Sequence, residues 1–185
     1  MTLTKSKTLT ACGALAATLA LPACGGSSSS TVSASAYVKS ICQSVGPFEK
    51  DVQARSNALN LSSVTSPAQG KQALQGFLGA IASDTNQAVD KLKAAGTPNV
   101  SNGKQISTAI VGAFTQLHTA LSNAVTSADA LPTDSAQSFR TAAVNLGTTV
   151  RNSMNGIGSS LSGLKSPALE TAAKKEPACQ TLNGG

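Results

Sequence analysis

From Ala34 onward the apolar residues of this chain recur mainly at steps of three, four or seven, with Ser, Thr, Asn and Gln filling the positions between. Tyr37, Ile41, Val45, Phe48, Val52 and Leu59 make one series, and Leu74, Phe77, Leu78, Ile81, Ala88 and Leu92 a second. Ile106, Ile110, Ala113, Leu117, Leu121, Ala124 and Ala128 make a third, and Phe139, Ala143, Leu146, Val150, Ile157, Leu161 and Leu164 a fourth. An α-helix turns about 100° per residue, so each series becomes a stripe on one helix face. No stretch sustains the alternation of a half-buried strand.

Punctuation agrees with the stripes. Ser66-Pro67-Ala68-Gln69 places a capping Ser before a Pro at the first helical position, with Gln three residues on to reach back. Asn102 to Gln105 and Asp134 to Gln137 have the same cap spacing, while Gly96-Thr97-Pro98 and Leu131-Pro132-Thr133 stop the helices before them. Pro47 falls inside the first stripe and predicts a kink or a helix that restarts there. A short helix over Pro167 to Lys175, ended by Pro177, is predicted after the fourth. Prolines 67, 98, 132 and 167 recur at a near-regular interval, but with one helix per interval, which fits bundle length better than a two-helix repeat.

The fold class is therefore all-α: an up-down-up-down four-helix bundle of helices about 25 residues long, with a short fifth helix at the C-terminus. Such a bundle puts the 60 to 66 and 131 to 134 loops at one end. The 96 to 102 loop and both chain ends of the domain lie at the other.

The first thirty residues carry an address rather than a fold. Lys5 and Lys7 precede a mostly apolar run from Leu9 to Leu21, a basic region followed by a hydrophobic one. Thirteen helical residues span roughly 20 Å, short of the roughly 30 Å hydrocarbon core, so the run is a secretory signal rather than a stable membrane span. Leu21-Pro22-Ala23-Cys24 follows at once, and it resembles the lipobox of bacterial lipoprotein precursors, with Pro22 where a small residue is commoner. That resemblance implies that Cys24 receives a diacylglyceryl group and becomes the mature N-terminus after residues 1–23 are removed. The other reading is a plain secretory signal cleaved near Ala23. Residues 24–33 then form the lipidated Cys and a tether opening on GGSSSS, and 34–185 the bundle domain. The Ala, Gly, Ser and Thr-rich style of the chain also resembles small exported lipoproteins of actinobacteria.

Four Cys residues sharpen this picture. Cys12 leaves with the signal and Cys24 takes lipid, so Cys42 and Cys179 remain in an oxidising compartment. A disulfide between them is the simplest outcome, two free structural thiols the other. Topology supports the bond, since an even number of antiparallel helices returns Cys179 to the end that holds Cys42.

Composition narrows the function. The chain has 185 residues, 3% aromatic and 12% charged, with no Trp and one His. So few aromatics argue against a base-stacking reader and against an aromatic-lined cleft. A formal charge of +6 falls to +4 once Lys5 and Lys7 are removed, leaving 12 basic and 8 acidic residues. That excess is too diffuse for nucleic acid. The acids form no ExxH arrangement for a di-metal centre, His118 has no second His for zinc, and neither a nucleophile elbow nor a phosphate loop occurs. No metal or cofactor is expected. Haem held between His118 and Met154 is disfavoured, because the two fall about 9 Å out of level along the bundle axis. His118 is instead expected at the edge of its helix's stripe, partly solvated.

Arg140, Arg151 and Lys165 point within roughly 40° of one another on a continuous helix, and no acid lies between Asp134 and Glu170. They form a candidate edge for an anionic partner, against the plainer reading that they only solubilise the helix. The expectation is a lipid-anchored protein on the extracytoplasmic face of the cell membrane, a non-catalytic binding or scaffolding module for an envelope protein or anionic polymer. The alternative is a carrier of an apolar or lipid ligand between the helices.

Overall fold

The computed structural model describes residues 30–59, 65–161 and 163–182. The signal expected over 1–23, the Cys24 expected to accept lipid and most of the 60 to 66 loop lie outside the described residues. Within them the chain runs β1 (Thr31–Val32), α1 (Ala34–Ala58), α2 (Pro67–Ala94), β2 (Thr97–Pro98), α3 (Gly103–Asp129), α4 (Ala136–Leu161), α5 (Pro167–Lys175) and α6 (Pro177–Gln180). The protein is an all-α helical bundle stapled by a disulfide between Cys42 and Cys179, whose Cα atoms lie 5.1 Å apart.

Of the three caps that the spacing predicts, the first forms. The Ser66 hydroxyl accepts from the Gln69 N–H at 3.4 Å, and the Gln69 side chain reaches back to the N–H and hydroxyl of Thr65. Two helix starts differ. The fourth helix is capped by Ser135 rather than Asp134, its hydroxyl accepting from the Ser138 N–H at 3.1 Å. Asn102 makes no side-chain cap; it sits in the left-handed region at φ 62°, a conformation that Asn tolerates better than most residues. α1 runs through Pro47 without restarting. α5 spans Pro167–Lys175 as expected, and Pro177 beyond it opens a further short helix, with the Glu176 carboxylate accepting from the Ala178 N–H.

The main core gathers Leu78, Ile81 and Ala82 of α2, Leu121, Ala124 and Ala128 of α3, Leu131, and Leu146 of α4. Buried alanines at 113, 124 and 128 let α3 approach its neighbours closely. At one end, Lys71 and Gln75 of α2 donate to the carbonyl and carboxylate of Asp129 at the C-terminus of α3. α2 and α3 form the most extensive helix pair, α1 packs on α2, and α4 packs on α3. α1 and α4 make almost no contact, so the ring of four helices is open along one side.

α5 and α6 return to α1 instead. Ala172 and Cys179 pack on Val38 and Cys42 in a second, smaller cluster. This is the end at which an even helix count was expected to bring the two cysteines together.

A two-residue parallel ladder secures the other terminus, pairing Thr31 with Thr97 and Val32 with Pro98. The Thr97 N–H donates to the Ser30 carbonyl at 3.0 Å and the Asn99 N–H to that of Val32 at 2.8 Å. Gly96 and Gly103 make room for it. A Cβ on Gly96, at φ +79°, would lie 2.5 Å from the Ser30 carbonyl oxygen, and one on Gly103 would lie 1.9 Å from that of Pro98. The chain is therefore held to the bundle from Ser30, three residues earlier than the expected end of the tether at Ser33.

Candidate functional site

The open side of the bundle is an apolar cleft of about 420 Å³, within the range of small-ligand sites. α1 supplies Val45, Phe48 and Val52 and α2 supplies Phe77, Leu78 and Ile81. Phe114, Leu117 and Leu121 come from α3, and Val150 and Met154 from α4, with Glu49 and Ser56 the polar members. Three of the chain's four Phe residues line this one cleft. Phe48 meets Phe114 edge to face, ring centres 5.9 Å apart, an attractive geometry for two aromatic quadrupoles. Met154 is half exposed, and its unbranched thioether can adjust to what lies beside it.

A second, polar cleft of about 350 Å³ lies between α1 and α2. Ser44, Asp51 and Arg55 face Asp84, Gln87 and Lys91 across it, with Pro47 and Phe48 on its wall. Arg55 Nε donates to Asp51 Oδ2 at 2.7 Å and stands 3.3 Å from Asp84 Oδ2, a buried atom that makes no hydrogen bond among the described residues. Burial, and the Asp51 carboxylate beside it, push the Asp84 carboxyl above the usual range despite Arg55. The hydrogen bond from Arg55 holds Asp51 below that range. The asymmetry is that of two acids crowded on one cation, where the more buried keeps its proton longer.

A third recess of about 620 Å³, wide open to solvent, separates Ser30 and Gly96 from Ser107 and Val111 of α3.

The residues singled out in the sequence fall in different places. His118 is partly buried between α3 and α2, its Nδ1 3.0 Å from the Ala82 carbonyl oxygen, as expected of a histidine at the stripe edge. Met154 belongs to the α1–α4 cleft, so the structure does not bring the two together. Arg140 and Arg151 are exposed on α4, and neither forms an ion pair among the described residues. Val144, between them along the helix, is 67% exposed. Lys165 lies beyond α4, which ends at Leu161, so 100° per residue no longer relates it to the two arginines. Among the described residues no three His, Cys, Asp or Glu converge as metal ligands, and no helix is long and apolar enough to cross a membrane.

Sequence reasoning did not find the Asp51, Arg55 and Asp84 cluster. Asp51 and Arg55 are an i, i+4 pair that the sequence does display, but Asp84 is on another helix, and only the pairing of α1 with α2 brings it in. Fold and site together define an open, disulfide-stapled helical bundle with an apolar cleft. Comparison with protein-family models, with characterised proteins and with solved structures finds no match for this chain.

Proposed function

We propose that this protein is a lipid-anchored binding module of the extracytoplasmic membrane face that takes an apolar chain into the cleft between α1 and α4, without catalysis. Of the two functions weighed in the sequence, carrier of an apolar ligand and partner-binding scaffold, the structure favours the first. The supporting observation is the cleft: aliphatic and aromatic side chains of four helices converge on one opening that no helix covers among the described residues. Apolar surface left in water in this way is stabilised by whatever apolar group fills it, at roughly 0.8 kcal/mol per buried methylene. Attachment through acyl groups on Cys24 would hold the bundle beside a supply of such chains, because two acyl chains anchor stably where one barely does. The ladder of β1 on β2 makes the connection short, since only Gly25 to Ser29 separate Cys24 from the first residue held to the bundle.

Native mass spectrometry of full-length protein extracted from membranes tests the reading. Bound lipid is expected with the wild type and should be weakened by Met154→Glu, a change at a half-exposed position that does not pack on the main core. A wild type that carries no lipid and takes up none from vesicles would refute it. Cys24→Ala should move the protein from the membrane to the soluble fraction, and retention would refute the anchor.

A further inference from the structure

Val144 and Met154 are the large hydrophobic side chains that stand most exposed among the described residues, and both belong to α4. The same helix carries two arginines and no acid from end to end. At 100° per residue Arg140, Val144, Arg151 and Met154 fall within about 80° of one another, on a single exposed strip about 21 Å long. Met154 also lines the apolar cleft, so the strip runs into the mouth of that cleft.

We propose that this strip of α4 rests on an anionic lipid surface and turns the mouth of the α1–α4 cleft towards the acyl chains beneath. The inference rests on the reading that the protein is lipid-anchored and takes an apolar chain into that cleft.

Charge selects the sign of the surface. Arg140 and Arg151 form no ion pair among the described residues, and α4 offers neither of them a carboxylate. Arg140 Nε donates to the Ala136 carbonyl of its own helix at 3.2 Å, which turns no charge aside. Glu49, the acid among the residues lining the cleft, belongs to α1 on the other side of the opening. Guanidinium groups on phosphate oxygens make hydrogen bonds of the stronger, charge-assisted kind. The rest of α4 is uncharged, so laying the strip on lipid buries no unpaired charge.

The apolar pair selects lipid over a soluble acidic polymer. Such a polymer would meet the two arginines and leave Val144 and Met154 in water. A headgroup boundary takes both, with the guanidinium groups at the phosphates and the apolar side chains below them. Attachment through Cys24 adds proximity. Cys24 lies six residues before Ser30, the first residue held to the bundle, and six residues extend at most about 20 Å. α4 alone is about 39 Å long. A bundle held within less than its own length of the lipid brings one side against the headgroups, and α4 has the charge and the apolar surface for that contact.

The test uses protein extracted from membranes with its own anchor and placed in vesicles of phosphatidylcholine, alone or mixed with phosphatidylglycerol, at low ionic strength. A nitroxide on Val144→Cys reports contact through its shielding from a water-soluble relaxation agent. One on Asn86→Cys, an exposed position on α2, is the control; Cys42 and Cys179 are bonded to each other and take no label. In mixed vesicles the label at 144 should be shielded and the label at 86 open, and high salt should reverse the shielding. Arg140→Gln with Arg151→Gln should lower the ratio of docked to undocked protein about thirtyfold, at roughly 1 kcal/mol for each arginine. A label at 144 as open as that at 86 in mixed vesicles, or equal shielding of the two, would overturn the proposal. Shielding at 144 that is as strong on phosphatidylcholine alone would overturn the part assigned to the arginines. Shielding by soluble polyglutamate and not by mixed vesicles would assign the strip to a polymer and overturn the lipid surface. Native mass spectrometry of the same samples reads the cleft separately. An open label with lipid still bound overturns this inference alone, whereas a shielded label with no bound lipid overturns the apolar-chain reading and leaves the docking strip. Protein that stays with neither kind of vesicle would overturn the anchor, and this inference with it.

Discussion

Replacing Cys42 and Cys179 together by Ala should cost stability in two separable amounts. The bond joins residues 137 apart in sequence, and in the chain-entropy treatment a loop of that length restrains the unfolded chain by about 5 kcal/mol. Against the 5 to 15 kcal/mol that hold typical domains together, such a loss is large. The structure adds where it is felt first. α5 and α6 pack on α1 and on each other and on no other helix to a comparable extent, and the buried apolar residues of that contact are Val38, Cys42, Ala172 and Cys179. Without the bond so small a contact should open locally, ahead of the α2–α3 core. Urea denaturation of the full-length protein should show a drop of about 2 to 5 kcal/mol in unfolding free energy. Hydrogen exchange should show protection lost over Pro167–Gln180 and the first turns of α1, with Leu78 to Leu92 unchanged. A drop below about 1 kcal/mol with the C-terminal arm still protected would refute the reasoning, since the arm would then be held by contacts other than the staple.

Tyr37→Phe should be neutral or stabilising by about 1 kcal/mol in the same urea assay, because the Tyr37 hydroxyl is buried without a hydrogen-bond partner among the described residues and removing it recovers a desolvation cost. Burial likewise pushes its pKa up to about 12, and a clear loss of stability in the Phe variant would reveal a partner. Asp84→Asn should raise stability over wild type near neutral pH, with the gap closing as pH falls towards about 4. The raised Asp84 carboxyl binds its proton more tightly folded than unfolded, so its contribution is fullest in acid and is lost as pH rises through its folded value; a gap that widens on acidification would contradict this. Arg140→Glu with Arg151→Glu should weaken binding to anionic liposomes or acidic wall polymer if α4's exposed edge meets such a partner. Unchanged binding leaves the two arginines as solubilising groups only.

Periodicity located the helices because each stripe is a local property. Leu78, Ile81, Ala88 and Leu92 of the second stripe are buried, as are Ile106, Ala113, Leu121, Ala124 and Ala128 of the third. Proline and serine signals placed α2 and α5 well, since Ser66 and Ser166 each sit one residue before a proline and accept from an N–H in the first turn. Asn102 shows the limit: its cap spacing is right, but the tight approach of Pro98 to Gly103 imposes a left-handed residue there. The ladder of β1 with β2 was illegible because two residues per strand cannot display a period. The helical argument that joined Lys165 to Arg140 and Arg151 lapses for a related reason, since periodicity does not say where a helix stops in a Gly and Ser-rich stretch, and α4 ends at Leu161.

The cleft was illegible for a different reason, and α1 shows it. Val38, Cys42, Val45, Glu49, Val52 and Ser56 are spaced by alternating fours and threes, so they occupy one face of the helix. Val38 and Cys42 on that face are buried beneath α5 and α6, while Val45 to Ser56 line the opening towards α4. A stripe records that a face is apolar and says nothing of what covers it. Here the C-terminal arm takes the first half of the seat that a fourth helix would fill in a closed bundle, and the disulfide pins the arm there. α4, packed chiefly on α3, leaves the second half open among the described residues. The same cysteine pair that closes the fold thus sets where the cleft begins, and the composition argument against an aromatic-lined site fails because three of the few aromatics are spent on this one place.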